Sequence, residues 1–146
     1  MAGKKLHLQI ITPETVKLDE NADMVIMRCT TGDMGILPGH QSCSAILDYG
    51  VMRIIDGDNE RRMAVLGGIA QVRGDEVFVL ANDAQWPEDI DRARALRERE
   101  LAERQMRDSE NDVEIQRNQV MMRRTLVQME VSSYPLVGKS KQHAGG

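Results

Sequence analysis

The chain is poor in aromatic residues. One tryptophan, two tyrosines and one phenylalanine make up 3% of its 146 residues. A core with so few rings must be built from aliphatic side chains and from the ten methionines, whose flexible thioethers fill irregular gaps and make adaptable surfaces. Basic charge is also short. The formal net charge is -4, the sequence pI is about 5.4, and no basic run interleaved with aromatics occurs. Nucleic acid, which demands a phosphate-neutralising face, is therefore not an expected partner. Cysteine is limited to Cys29 and Cys43, with no Cys-x-x-Cys pair, so a disulfide scaffold is excluded and buried thiols in a reducing compartment are expected. No apolar run reaches the length of a membrane span. The N-terminal "MAGKKLHLQII" is interrupted by His7 and Gln9, unlike a signal peptide. The expected location is the cytosol or the periphery of a membrane complex, without insertion.

The residues up to 86 alternate with the period of β-strands. "LHLQII" puts Leu6, Leu8 and Ile10 on one face. "DMVIMRC" sets Met24, Ile26 and Arg28 against Val25, Met27 and Cys29. "YGVMRIIDGDNERRMAVLGG" contains two apolar runs around Asp56-Gly57-Asp58-Asn59, a strong hairpin signal. "GIAQVRGDEVFVLA" repeats the design around Arg73-Gly74-Asp75. Short strands with turns every eight to twelve residues predict an all-β sandwich or barrel over residues 1–86.

The pattern changes at Pro87. "PEDIDRARALRERELAERQMR" is rich in strong helix formers, with acid in the first turn and Glu100 four residues before Arg104. This predicts a helix from Pro87 to near Arg107. After the "DSEND" turn a second helix is predicted from about Asp112 to Ser132. Its apolar residues recur by sevens, as Val113, Val120, Val127 and Ile115, Met122, Met129, in one broad stripe that needs a partner surface. The whole is an antiparallel helical hairpin over 87–133, docked or mobile because two helices bury too little to stand alone. The tail 134–146 is expected to be disordered. Residues 1–86 hold eight basic and twelve acidic residues, while 87–146 hold eleven of each, nine of the eleven basic ones being arginine.

"GDMGILPGHQS" at 32–42 invites a search for chemistry. A metal site needs several converging ligands, but His7 and His143 stand near the two ends of the chain. A His40–Cys43 nucleophile pair lacks an orienting third group. Gly32, Gly35 and Gly39 are not followed by the Gly-Lys-Ser/Thr of a phosphate loop. They read as backbone geometry instead, with Pro38 stiffening the loop. In "IDRARA" at 90–95, Asp91 and Arg94 share a helix face. They are either a solvated ion pair or part of a phosphate clamp.

Four stretches, in order and spacing, resemble the epsilon subunit family of F-type ATP synthase across residues 4 to 133. These are "LQIITPE" (8–14), "GDMGILPGH" (32–40), "VLGGIAQVRGDEVFVLA" (65–81) and "DIDRARA" (89–95). The resemblance implies a ten-stranded β-sandwich followed by two helices. It implies a non-catalytic central-stalk rotor subunit bound to the gamma subunit and resting on the c-subunit ring. It places the subunit on the cytoplasmic face of the bacterial inner membrane, coupling proton translocation to ATP synthesis. The helical arm is expected to extend toward the alpha and beta subunits and inhibit ATP hydrolysis. Asp33 and His40 match positions facing the c ring. Ile90, Asp91, Arg94, Ala95 and Arg124 match an ATP-contact pattern, but Gln85 replaces a glutamate, and Leu101 and Gln128 replace arginines. ATP binding is therefore expected to be weak, with no cofactor required. A free-standing nucleotide-sensing module built on the same helices is the alternative.

Overall fold

The computed structural model describes residues 3–133, so the expectation for the 134–146 tail lies outside the described residues. Eight strands come first, β1 (Leu6–Ile11), β2 (Val16–Ala22), β3 (Met24–Cys29), β4 (Gly32–Ile36), β5 (Cys43–Asp56), β6 (Asn59–Arg73), β7 (Glu76–Ala81) and β8 (Ala84–Gln85). A 3-10 turn (Pro87–Asp89) leads to α1 (Arg92–Asp108) and α2 (Asp112–Ser132).

The strands hydrogen-bond in the order β2-β1-β7-β6-β5-β3-β4, with β8 beside β6. The alternation of β1 is realised in full: Leu6, Leu8 and Ile10 are completely buried, and the residues between them are half-buried. In β3 the inward face is Val25, Met27 and Cys29. These residues join Ile36, Met52, Ile54, Met63, Val77 and Val79 in one aliphatic and methionine core. Cys43 opens β5 half-buried against it.

Eight strands stand where ten are expected, and the reason is the length of β5 and β6, 14 and 15 residues. Their ladder is interrupted between the Leu47–Gly68 and Tyr49–Leu66 pairs, where Gly67 (φ 82°) and Gly68 (φ 134°) take conformations that favour glycine. On one side of this break, 43–47 and 68–73 form a layer with β7, β1 and β2. On the other, 49–56 and 59–66 form a layer with β3, β4 and β8. Each long strand serves both layers, so counting its halves separately recovers ten.

The first helix does not begin at Pro87. Pro87–Asp89 closes a single 3-10 turn, Ile90 is extended (φ -93°, ψ 123°), and α1 starts afresh after the N-cap Asp91. Asn111 caps α2, its side-chain oxygen accepting from the N–H groups of Val113 and Glu114. The side-chain pairs on α1 are Arg94–Glu98 and Arg99–Glu103. The helices pack on one another, α1 burying Ala95 and Ala102.

The heptad stripe of α2 is buried over only part of its length. Val113 remains 63% exposed, whereas Val127 and Val131 are buried. The C-terminal part of α2, from Arg123 onward, meets the sandwich. There Val127 and Val131 pack with Ala64, Leu66, Tyr49, Val51 and Ile90 on the outer face of the β5–β6 layer.

Candidate functional site

The junction between the sandwich and the hairpin gathers the five residues of the ATP-contact pattern. Ile90, Asp91, Arg94, Ala95 and Arg124 line one pocket of about 360 Å³, together with Gln85, Asp89, Glu98, Met121 and Gln128. The extended Ile90 and the helix start place the first four, and α2 supplies Arg124 from across the hairpin.

Most of the polar side chains there already have partners. Asp91 is the α1 cap, its Oδ1 accepting the Arg94 N–H at 3.0 Å. The Arg94 guanidinium pairs with Glu98, Nε to Oε1 2.7 Å. Arg124 Nη2 reaches Asp83 Oδ2 at 3.3 Å. Gln128 donates from Nε2 to Gln85 Oε1 at 2.8 Å, leaving its own buried Oε1 without a partner. Each guanidinium thus already pairs through one nitrogen with a carboxylate that partly offsets its charge toward a phosphate. Leu101 lies apart from this lining, 48% exposed on α1. Sequence reasoning missed Asp83 and Glu98. Glu98 stands in helical register with Arg94 and was findable. Asp83 lies 41 residues from Arg124, and no periodicity links them.

Asp33 and His40 occupy different surroundings. Asp33 on β4 faces Arg28 across the β3–β4 ladder, where its Oδ1 accepts from Nε at 3.1 Å. It lines the groove between the sheet and α2, with Tyr49 and Arg123. His40 sits in the 37–42 loop, which is tied down at several points. Its N–H donates to the Leu37 carbonyl, its Nδ1 bonds the Gln41 carbonyl at 2.7 Å, and the neighbouring Gly39 N–H donates to Asp75 at 2.8 Å. At the β5–β6 turn Lys5 joins Asp23 and Asp56, and both carboxylates raise its pKa. Asp23 is held below the ordinary carboxylate range, first by the Gly57 N–H and then by Lys5.

Two further features face outward from the β2-β1-β7-β6-β5 layer. Ile46, Ile69, Leu80, Ile11 and Val16 are successive register partners across all five strands. Ile46 is 63% and Val16 56% exposed, and Ile69 and Leu80 are exposed too. They form an uncovered apolar row on the sandwich face that α2 leaves free. Further along β1 from Ile11, His7 lies between two carboxylates, Nε2 to Asp19 Oδ1 2.6 Å and Nδ1 to Glu76 Oε2 2.8 Å. Among the described residues no group of side chains could hold a metal, and no helix is long and apolar enough to cross a membrane.

A sandwich that carries a helical hairpin and leaves an apolar face uncovered has the form of a binding subunit. Two family models divide the chain at the same junction. ATP synthase, Delta/Epsilon chain, beta-sandwich domain matches residues 5–87, and ATP synthase, Delta/Epsilon chain, long alpha-helix domain matches 88–133. Relatives narrow the class. An ATP synthase epsilon chain of Bacillus licheniformis is 35% identical over 129 residues, 88% of this chain and 98% of that one. One from Caldicellulosiruptor saccharolyticus is 31% identical, covering 84% and 89%. The chain belongs to the ATP synthase epsilon chain family, a non-catalytic subunit of a complex that is the enzyme as a whole.

In the solved structures a chain of the Euglena gracilis mitochondrial ATP synthase, OSCP/F1/c-ring, superposes with a TM-score of 0.79 at 19% identity, covering 92% of this chain and 86% of that one. A chain of the Tetrahymena thermophila central stalk/c-ring gives 0.60 at 9%, covering 89% and 98%. At these identities the likeness is one of fold.

Proposed function

We propose that this epsilon subunit works as a rotor element of a proton-translocating F-type ATP synthase, on the cytoplasmic face of the bacterial inner membrane. The apolar row Ile46–Ile69–Leu80–Ile11–Val16 docks on the gamma subunit. The 37–42 loop with His40, and the Asp33 side chain, contact the c-subunit ring. The helical hairpin extends toward the alpha and beta subunits and inhibits ATP hydrolysis.

The observation that carries this reading is the apolar row. Five adjacent apolar side chains across five strands, left open on the face opposite α2, form a patch of the kind that marks a protein interface. They lie on a rigid sheet, which suits a part that transmits torque. The 37–42 loop, braced by Asp75, offers a rigid second contact.

The test is copurification of gamma with full-length chain carrying Ile69→Asp and Leu80→Asp. Both positions face outward, so the sandwich still folds, and gamma retention is expected to fall at least tenfold, the loss of about 1.4 kcal/mol or more. Unchanged retention overturns the assignment of this face. ATPase activity of the reconstituted complex with and without residues 88–146 tests the arm, and higher hydrolysis without it is the expected result.

The five pocket residues fit at most a weak contact with ATP. Arg94 and Arg124 are engaged by Glu98 and Asp83, and two arginines of the family pattern are replaced by Leu101 and Gln128.

A further inference from the structure

The contact that holds the hairpin on the sandwich is small and partly polar, with charged pairs beside a short apolar cluster. Only α2 carries the main contact with β5 and β6, and its buried apolar side chains there are Val127 and Val131. One turn before Val127, two consecutive arginines reach in opposite directions. Arg123 extends toward Asp48, Nη1 to Oδ1 3.7 Å, and lies over the Tyr49 ring, 5.5 Å from its centroid. Arg124 reaches Asp83 at 3.3 Å.

The two carboxylates sit at equivalent places, at the corners where the sandwich layers part. Asp48 is the residue skipped between the Leu47–Gly68 and Tyr49–Leu66 pairs, and its Oδ1 accepts the Tyr49 N–H at 2.8 Å. Asp83 follows β7, its carbonyl accepts the Leu66 N–H, and its Oδ1 accepts the Ala84 N–H at 2.9 Å. Each carboxylate is therefore fixed by the next residue's backbone before the helix arrives. The polar contacts extend to Gln128–Gln85, a turn further on.

We propose that Arg123 and Arg124 form an ionic clasp on Asp48 and Asp83 that holds the hairpin down and opens with rising ionic strength while the sandwich stays folded. Partly exposed pairs of this kind are screened by salt, whereas the aliphatic core between the layers is not. The Arg123–Tyr49 contact adds a cation–π interaction that shares the same charge. A unit with few buried apolar contacts opens at lower free energy than a core strand. The clasp uses the chain's own carboxylates, so holding the arm down needs no bound anion. Its regulatory meaning rests on the proposed role of the arm, but the clasp itself is a property of the isolated chain.

Hydrogen exchange on the isolated full-length chain, resolved by mass spectrometry, tests it. From about 0.02 M to about 0.5 M NaCl the screening length falls from roughly 20 Å to roughly 4 Å. Over that range, exchange in 120–132 is expected to accelerate several-fold while β1, β5 and β7 hold their protection. Asp48→Asn with Asp83→Asn keeps the backbone-accepting oxygens and removes the charges. It is expected to speed α2 exchange roughly tenfold at low salt and to abolish the salt response. Exchanging the charges of one pair, Asp48→Lys with Arg123→Glu, is expected to restore protection relative to Asp48→Lys alone. The clasp is overturned if α2 exchange ignores both salt and the Asn substitutions, or if helix and strands loosen together. No rotor partner enters the experiment, so this outcome is independent of whether gamma binds.

Discussion

Gly68 packs against the β7 backbone so closely that an added Cβ would lie 2.2 Å from the Leu80 carbonyl oxygen and 2.8 Å from the Ala81 Cα. Its φ of 134° is also one that side chains rarely adopt. This is the corner where β6 passes from one layer to the other, and backbone atoms cannot move aside there as a flexible side chain could. Gly68→Ala is expected to cost about 3 kcal/mol, combining strain and displacement. Gly57→Ala, with φ 62° and open space around it, is expected to cost only about 1 kcal/mol. Urea denaturation of the two variants checks the ranking. Equal midpoints would remove the corner's structural role.

Glu60 lies between two guanidiniums, taking two bonds from Arg53 at 2.9 and 2.8 Å and one from Arg62 at 2.6 Å. Arg53 chiefly, then Arg62, outweigh burial and bring its pKa from 4.5 down to about 2. A depressed folded-state pKa contributes stability above the unfolded value, lost as pH falls through the folded one. The contribution is thus full above about 4.5 and fades toward about 2. Glu60→Gln is expected to destabilise by about 1–2 kcal/mol at neutral pH, after allowing for solvent screening. The difference between variant and parent should close as the pH of the denaturation series is lowered. A difference independent of pH contradicts the assignment.

His7 is held by carboxylates at both ring nitrogens, which favours the imidazolium. Asp19 is the larger cause of its raised pKa and Glu76 the smaller. The folded value lies above the ordinary 6.5, so the stabilisation is present below that pH and disappears as pH rises through the folded value. NMR titration of the His7 ring is expected to give a midpoint above 6.5. Asp19→Asn should lower it more than Glu76→Gln does, and the reverse order would refute the ranking.

Local patterns carried much of the fold. The Leu6, Leu8, Ile10 alternation and the Asp56–Asn59 turn are complete within a few residues. The α2 bounds follow from Asn111 and the heptad spacing. What escaped is what two distant segments make together. Residues 63–67 of β6 are buried without alternation because the core covers one face and α2 the other. The exposed row at Ile46, Ile69 and Leu80 reads in each strand as ordinary apolar residues. Its continuity exists only in the cross-strand register. The pocket residues were legible through family resemblance and the Arg94–Glu98 pair through helical spacing, but the engagement of Arg124 by Asp83 was not.

That engagement bears on nucleotide affinity. Asp83 beside Arg124 and Glu98 beside Arg94 offset the charge each guanidinium offers a phosphate, and any charge-assisted bond given up to make room costs on the order of 1.5–3 kcal/mol. Leu101 and Gln128 supply no replacement cation. Titration calorimetry with ATP is therefore expected to show millimolar or weaker binding, about 4 kcal/mol or less. Glu98→Gln removes the carboxylate that occupies Arg94 without touching the Asp91 cap, and should strengthen binding by up to about tenfold. Micromolar affinity in the parent chain would overturn this account. A Glu98→Gln variant that binds no better would show that Arg94 does not face the ligand.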